Sequence, residues 1–493
     1  MRCPGDSGPV ERLDFTRRFP PNHVGERPQG FSTAILKRLT TSSYFDEPSV
    51  ITFWPSGQSI SFAVYSFAQT LPRDSIGPDV IRRFFSFLVL TAVLVSAQTT
   101  VSKQRLSRID TLLENYIQQN KIPGVVALTL QDGKPVYERA LGWADKEAGR
   151  RMSPDAIFRI ASQTKAITST AVLILVEEGK IAIEEPVGDF IPTFKRTTVE
   201  EAGGVVVPAK RPITIHDLLT HTAGISYGTE PGVAATYREK ALGQAAGYGW
   251  YTADKDEPIC ATMERLGSLP FVSQPGEKFV YGYNTDILGC VVEKASGMPL
   301  DKFIEGRITG PLGMKDTHFY VPDADRGRLA AVYSSTDAGY ERAPEGAKGQ
   351  GSYVNGPRKS FAGGAGLTST AHDYARFLEA IRRDGALDGV RILSPRAARL
   401  MHTNQSGALH SNTGLGFGYG FEVVDRYGAK DLAGVGAFGW GGAYGTLYQV
   451  DPESRLVVVF MMQLIPNRTD VQQKFMDVVY QALEEANGLH VAA

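Results

Sequence analysis

The chain predicts an α/β fold of the α+β type: one antiparallel sheet assembled from both chain ends, flanked by helices, with a smaller, mainly helical lobe inserted between. Three observations predict it. Hairpin-like runs stand near 124–141 and again near 417–463, so the two ends can share a sheet. Helical periodicity brackets them at 102–120 and 470–486. The stretch between, about 186–359, lacks a comparable strand pattern and reads as helices and loops.

Taken in order, 102–120 carries Leu106, Ile109, Leu113, Tyr116 and Ile117 at helical spacing. Residues 124–130 and 136–141 are β-rich and flank Asp132-Gly133, a hairpin signal. A helix is expected from about Ser162 to Glu178, stopped by Gly179, and a short one near 213–221. Residues 226–270 are rich in Gly, Ala and Tyr with weak periodicity, which suits a helical or looped cap over a site. Helices follow at 285–294 and 370–382. Residues 417–424, 445–450 and 455–463 read as three strands, with Asp451-Pro452-Glu453-Ser454 turning the last pair. The lobes are expected at about 98–185 with 360–493 (α/β) and at about 186–359 (helical).

Bulk properties remove several functions. The 493 residues are 42% hydrophobic and 21% charged, with a formal net charge of -1. That balance offers no electrostatic footprint for nucleic acid and no basic run for an anionic membrane surface. Three cysteines, Cys3, Cys260 and Cys290, are too few for a disulfide scaffold, and no Cys-x-x-Cys is present. His216 and His221 stand five apart, wrong for one helical face. No metal or cofactor is expected.

Arg82-Arg83, the apolar run 84–95 and then Val95-Ser96-Ala97-Gln98 form a basic, apolar and small-x-small series. It reads as a signal peptide over 80–97, cut after Ala97, because the apolar run is too short to span a bilayer. Export, periplasmic or secreted, is the expectation, with no stable membrane span after processing. Residues 1–79 then read as an upstream extension outside the native product.

The chemistry centres on Phe158-Arg159-Ile160-Ala161-Ser162-Gln163-Thr164-Lys165. Three residues along a helix is nearly one turn, so Ser162 and Lys165 share a face. A serine hydroxyl needs a base to become a nucleophile. A lysine in a dry pocket loses part of its preference for charge and can accept or relay that proton. Ser162 is the only serine in the chain with lysine three positions on. The plainer alternative is a capping serine followed by a solvated lysine. Two competing motifs fail on context. Gly224-Ile225-Ser226-Tyr227-Gly228 copies a nucleophile elbow but has a helical stretch, not a strand, before it. Gly5-Asp6-Ser7-Gly8-Pro9 has no room ahead of it for a histidine and an aspartate.

Further landmarks follow in order. They are Ile213-Thr214-Ile215-His216-Asp217-Leu218-Leu219-Thr220-His221-Thr222-Ala223-Gly224, Gln274-Pro275-Gly276-Glu277-Lys278-Phe279-Val280-Tyr281, Phe361-Ala362-Gly363-Gly364-Ala365-Gly366-Leu367 and Phe438-Gly439-Trp440-Gly441-Gly442. With the Ser-x-x-Lys segment they resemble the serine β-lactamase and penicillin-binding-protein superfamily over about 103–486, and within it the class C-like branch that includes family VIII carboxylesterases. The resemblance implies a β-lactamase-like fold and a catalytic tyrosine, which Tyr281 matches. The class C pattern Tyr-x-Asn is altered, because Tyr283 stands where asparagine is expected and Asn284 follows one position late. The Lys-Thr-Gly strand of lactam-acting relatives corresponds to Trp440-Gly441-Gly442, which lacks the lysine. By the same resemblance, the Ser162 and Ala443 amides form the oxyanion hole, and Trp440, Gly441, Gly442, Tyr283 and Asn284 contact substrate. The expected activity is hydrolysis of small short-chain esters through an acyl-Ser162 intermediate, with weak β-lactam hydrolysis alongside. The alternatives are a β-lactamase or D-Ala-D-Ala carboxypeptidase, an acyltransferase, and a non-catalytic penicillin-binding-like protein.

Overall fold

The computed structural model describes residues 50–53, 60–63, 100–242, 251–347 and 349–484. The chain divides into two compact units, Met1–Val95 and Ser96–Ala493. In the first, Val50–Phe53 and Ile60–Ala63 pair antiparallel. The signal-like segment 80–97 and Cys3 lie outside the described residues, as does Gly5-Asp6-Ser7-Gly8-Pro9.

The second unit opens with helix α1 (Lys103–Gln118), whose first turn is capped by the Ser102 hydroxyl. Its buried stripe is Leu106, Ile109, Leu113 and Tyr116, the periodic residues of the sequence. Strands β1 (Gly124–Gln131) and β2 (Lys134–Asp145) form the expected hairpin. Asp132 and Gly133 both take positive φ, 52° and 76°, as a two-residue turn matched to sheet twist requires. A short β3 (Arg150–Arg151) pairs with β2.

Helix α2 (Thr164–Glu177) is buried along nearly its whole length, from Thr164 to Leu175. A helix apolar on every face belongs inside a fold rather than on its surface. The middle of the chain holds α3 (Ile215–Leu219), α4 (Pro231–Glu239), α5 (Ile259–Leu266) and α6 (Asn284–Ser296), and, against the expectation of helices and loops alone, a small sheet of Thr198–Glu201, Val205–Pro208 and Pro270–Phe271 and a hairpin of Tyr333–Thr336 with Gly339–Arg342. Thr214 and Asp217 close a capping box on α3. Helix α7 (Ala371–Arg382) starts at the Thr370 cap. Strands β4 (Leu415–Phe417), β5 (Glu422–Val424), β6 (Phe438–Gly442), β7 (Thr446–Asp451) and β8 (Leu456–Met461) follow, then α8 (Val471–Tyr480).

The eight strands form one sheet in the order β4-β5-β6-β7-β8-β1-β2-β3, each described pairing antiparallel. Within this sheet the last strand in the chain, β8, pairs with the first, β1. The two ends therefore share the sheet. Its buried faces join two apolar clusters, one under α1 and α8 and one continuous with α2, α6 and α7.

Three further expectations need correction. Residues 417–424 are not one strand: the chain reverses at Gly418–Gly420, where Gly420 takes φ 109° and Gly418 N–H bonds to Phe421 O, giving β4 and β5. The closing helix ends at Tyr480 rather than near 486, and Leu483–Glu484 pairs with Thr100–Val101. Cysteine counting also missed a bond: Cys260 on α5 and Cys290 on α6 form a disulfide. It closes a loop of 30 residues, so its removal is expected to cost about 3.6 kcal/mol on the chain-entropy estimate. Denaturant midpoints before and after reduction check this; equal midpoints would contradict it. Among the described residues no helix is long and apolar enough to cross a membrane.

Candidate active site

Ser162 stands on a short 3-10 turn, Ala161–Gln163, that runs straight into α2. The preceding strand, Phe158–Arg159, is fixed from several sides. Arg159 N–H donates to Gln463 Oε1, and Gln463 Nε2 donates back to Arg159 O. The buried Arg159 guanidinium bonds the carbonyls of Gln350 and Ala330, each at 2.7 Å. Ala161 then takes φ 44°, a left-handed conformation costly for a residue with a Cβ. That sharp corner lifts Ser162 to a half-buried position at the head of α2 while its neighbours stay in the core.

Lys165 follows one turn later and is only 2% exposed. Its Nζ has three oxygen partners: Gly364 O at 2.7 Å, the Tyr227 hydroxyl at 3.0 Å and Ser162 Oγ at 3.3 Å. An ammonium donates to all three. A neutral amine donates to Gly364 O and Tyr227 and turns its lone pair towards Ser162 Oγ. One arrangement thus accommodates both the ammonium and the neutral amine.

Tyr281 is half-buried, and its ring centroid lies 4.7 Å from Lys165 Nζ. The Trp440 indole N–H donates to the Tyr281 hydroxyl at 3.2 Å, with the rings 5.5 Å apart. Indole is a donor only, so the Tyr281 oxygen is the acceptor there. His221 packs 4.7 Å from the Tyr281 ring. Burial, and after it the Lys165 charge, push His221 well below the usual histidine range, so it is neutral at pH 7.

The structure brings Ser162, Lys165, Tyr281 and Trp440 together. Strand β6 carries Trp440, Gly441 and Gly442 towards the nucleophile's turn: a Cβ on Gly442 would lie 2.4 Å from Ile160 O. Ala443 follows as the exposed first residue of the next turn. Tyr283 and Asn284 are placed differently. Asn284 is fully buried, and its Nδ2 donates to His221 Nδ1 and to the carbonyls of Ile225 and Val280. Tyr283 is 3% exposed and packs 4.9 Å from the Tyr227 ring. Both brace the loops behind Tyr281, so the shifted asparagine is accounted for by packing rather than by a substrate contact.

Two residues escaped the sequence reading. Tyr227 lies inside the rejected Gly-x-Ser-x-Gly segment. The rejection holds for Ser226, which is buried with its Oγ accepting the Gly228 N–H. The neighbouring tyrosine nevertheless reaches Lys165. Burial raises the Tyr227 phenol well above its ordinary range, so it stays protonated. Asp286, the other, is buried two residues into α6. Its signal was a carboxylate immediately before the apolar run Ile287–Val292.

Comparison with known proteins shows the family. The family described as Beta-lactamase matches residues 109–481. An uncharacterized protein of Mycobacterium tuberculosis is 37% identical over 365 residues, covering 70% of this chain and 87% of its own length. Esterase EstB of Burkholderia gladioli is 33% identical over 370 residues, covering 72% of this chain and 89% of its own. The solved structure of EstCE1, described as a hydrolase with promiscuous acyltransferase activity, superposes with a TM-score of 0.66 at 27% identity, covering 77% of this chain and 99% of that one. The chain belongs to the Beta-lactamase family and is a serine hydrolase of that fold.

Proposed function

We propose that the protein is a carboxylesterase of the family VIII type that hydrolyses short-chain acyl esters through an acyl-Ser162 intermediate. The observation that carries this reading is the buried Lys165, with Nζ 3.3 Å from Ser162 Oγ, beside a β6 edge that presents an indole instead of a lysine. An ammonium on that edge would attract the carboxylate of a lactam or peptide substrate; Trp440 offers an apolar face and a single N–H already engaged by Tyr281. Neutral esters suit such an edge.

In this reading, Ser162 Oγ attacks the ester carbonyl as its proton passes to the Lys165–Tyr281 pair. The same pair protonates the departing alcohol, and water then repeats the attack in reverse. The Ser162 and Ala443 amides hold the oxyanion. Export is part of the proposal, supported by the 80–97 pattern and by the Cys260–Cys290 disulfide, which suits an oxidising compartment. The description of EstCE1 favours one second reading, transfer of the acyl group to an alcohol rather than to water.

Rapid quenching with p-nitrophenyl butyrate, followed by peptide mass spectrometry, tests the intermediate. A butyryl adduct on Ser162 is expected, with turnover of that ester exceeding nitrocefin by about a hundredfold or more. An adduct elsewhere, or faster nitrocefin turnover, overturns the proposal. Added methanol that yields methyl butyrate in preference to the acid would favour the transferase.

A further inference from the structure

The glycine-rich loop at 361–367 passes between α2 and α6, and one residue in it touches both helices. Gly364 O accepts from Lys165 Nζ at 2.7 Å, and Gly364 N–H donates to Asp286 Oδ1 at 3.0 Å. The single Gly364 residue therefore links the catalytic lysine to a carboxyl group that is 1% exposed. The approach needs glycine: a Cβ at Gly364 would lie 2.3 Å from Asp286 Oδ2, and one at Gly363 would lie 2.6 Å from Thr285 O. Among the described residues Asp286 Oδ2 itself has no hydrogen-bond partner. A buried carboxylate with a free oxygen is costly unless an opposite charge stands near, and Lys165, when protonated, supplies one.

We infer that Asp286 is a positioning residue of the catalytic step: it aims Lys165 through the Gly364 backbone and supplies the buried negative charge opposite the ammonium that forms when Lys165 takes the Ser162 proton. This rests on the Ser162–Lys165 reading above. No atom of Asp286 is transferred; the proton moves from Ser162 Oγ to Nζ and later to the leaving alcohol, while Asp286 stays ionised. The role parallels the buried aspartate behind the histidine of serine protease triads, which stabilises a cation without taking its proton.

Burial raises the Asp286 carboxyl to about 6, with the Lys165 charge and the Gly364 N–H opposing the rise. Asp286 is then ionised above that pH and takes up a proton as the pH falls through it, so the counter-charge is lost on the acid side. The other titratable groups around Lys165 are Tyr227, Tyr281 and His221. Tyr227 is raised well above 10.0 and His221 is lowered well below 6.5, so neither accounts for a change near 6.

The test is Asp286→Asn, which retains an oxygen for the Gly364 N–H while removing the charge, assayed with p-nitrophenyl butyrate from pH 5 to 8. The wild-type protein is expected to lose kcat/KM as the pH falls through about 6. Asp286→Asn is expected to lower kcat roughly 10- to 100-fold with KM within about twofold, and to abolish that inflection. A purely structural role would lower the melting temperature and leave the inflection in place. An Asp286→Asn profile that retains it overturns the inference, as does a wild-type profile flat between pH 5 and 7, which decides the matter even if the variant fails to fold. Butyrylation of Ser162 is scored separately. Its absence in wild type sinks the esterase reading, whereas its presence with an unchanged Asp286→Asn profile sinks only this inference.

Discussion

Ser162→Ala and Lys165→Ala are each expected to lower kcat for p-nitrophenyl butyrate by roughly 10⁴- to 10⁶-fold, and the double variant is expected to be no worse than either. The non-additivity follows from the geometry. Nζ and Oγ are 3.3 Å apart on successive turns, so each group is useful only through the other. Without the lysine, the hydroxyl keeps a proton it cannot shed; without the hydroxyl, the lysine has nothing to deprotonate. The two single variants separate on stability instead. Ser162 is half-buried and its loss leaves one contact unmade. Losing the Lys165 side chain strands the buried Gly364 carbonyl and the Tyr227 hydroxyl. Each orphaned group costs about 1–3 kcal/mol, and the vacated stem leaves a cavity. Lys165→Ala is therefore expected to melt well below Ser162→Ala at equal activity. Kinetics with thermal melts on the three variants checks both statements. Lys165→Ala retaining more than about a hundredth of wild-type kcat would mean that Tyr281 activates Ser162 unaided.

Much of this site was legible because local chemistry declares itself in short windows. The Ser162–Lys165 spacing needs only the pitch of a helix, and α2 begins where the Ser-x-x-Lys segment says it should. The Asp132-Gly133 turn and the α1 stripe likewise depend on neighbours in sequence. The sheet's closure by β8 against β1 was readable from hairpins at both ends, since antiparallel strands at the two termini have few other places to bury their apolar faces.

What stayed hidden is long-range. Lys165 meets Tyr227 across 62 residues and Gly364 across 199. No pattern in a window reports that a tyrosine in a turn or a carbonyl in a glycine run will converge on one amine. The Phe361–Leu367 landmark was visible as a motif, but its reason, glycines thin enough to pass between two helices, appears only when both helices are in place. The asparagine one position late was ambiguous for the same cause: Asn284 is a brace for His221 and two loop carbonyls, and two of those partners, His221 and Ile225, lie 63 and 59 residues from it in the chain. The Cys260–Cys290 pair was missed because counting cysteines says nothing about two helices that happen to lie side by side.

Gly442→Ala is expected to lower kcat by roughly 10²- to 10³-fold, the scale of losing one oxyanion donor, although no catalytic side chain is changed. A Cβ at this position would stand 2.4 Å from Ile160 O and 2.3 Å from Thr446 Oγ1. The threonine hydroxyl can rotate away. The Ile160 carbonyl cannot, because it accepts the Gln163 N–H at the nucleophile's own turn, and Ile160 N–H is tied to Leu367 O. Relief must come from separating the end of β6 from the Ile160–Ser162 turn, and that displaces the Ala443 amide from the Ser162 amide. Overpacking of this kind also lowers stability by about 1–3 kcal/mol. Gly441→Ala is the matched control: its Cβ would meet only Thr446 O at 3.0 Å and Leu447 Cδ1 at 3.9 Å, so kcat should remain within about fivefold of wild type after a small local shift. Steady-state kinetics on folded samples of both variants reads the difference. Equal activities would remove the β6 edge from the oxyanion hole, and with it the role proposed for Ala443. A large loss confined to Gly442→Ala, in kcat more than in KM, would show that the spacing between strand and nucleophile is what Gly442 maintains.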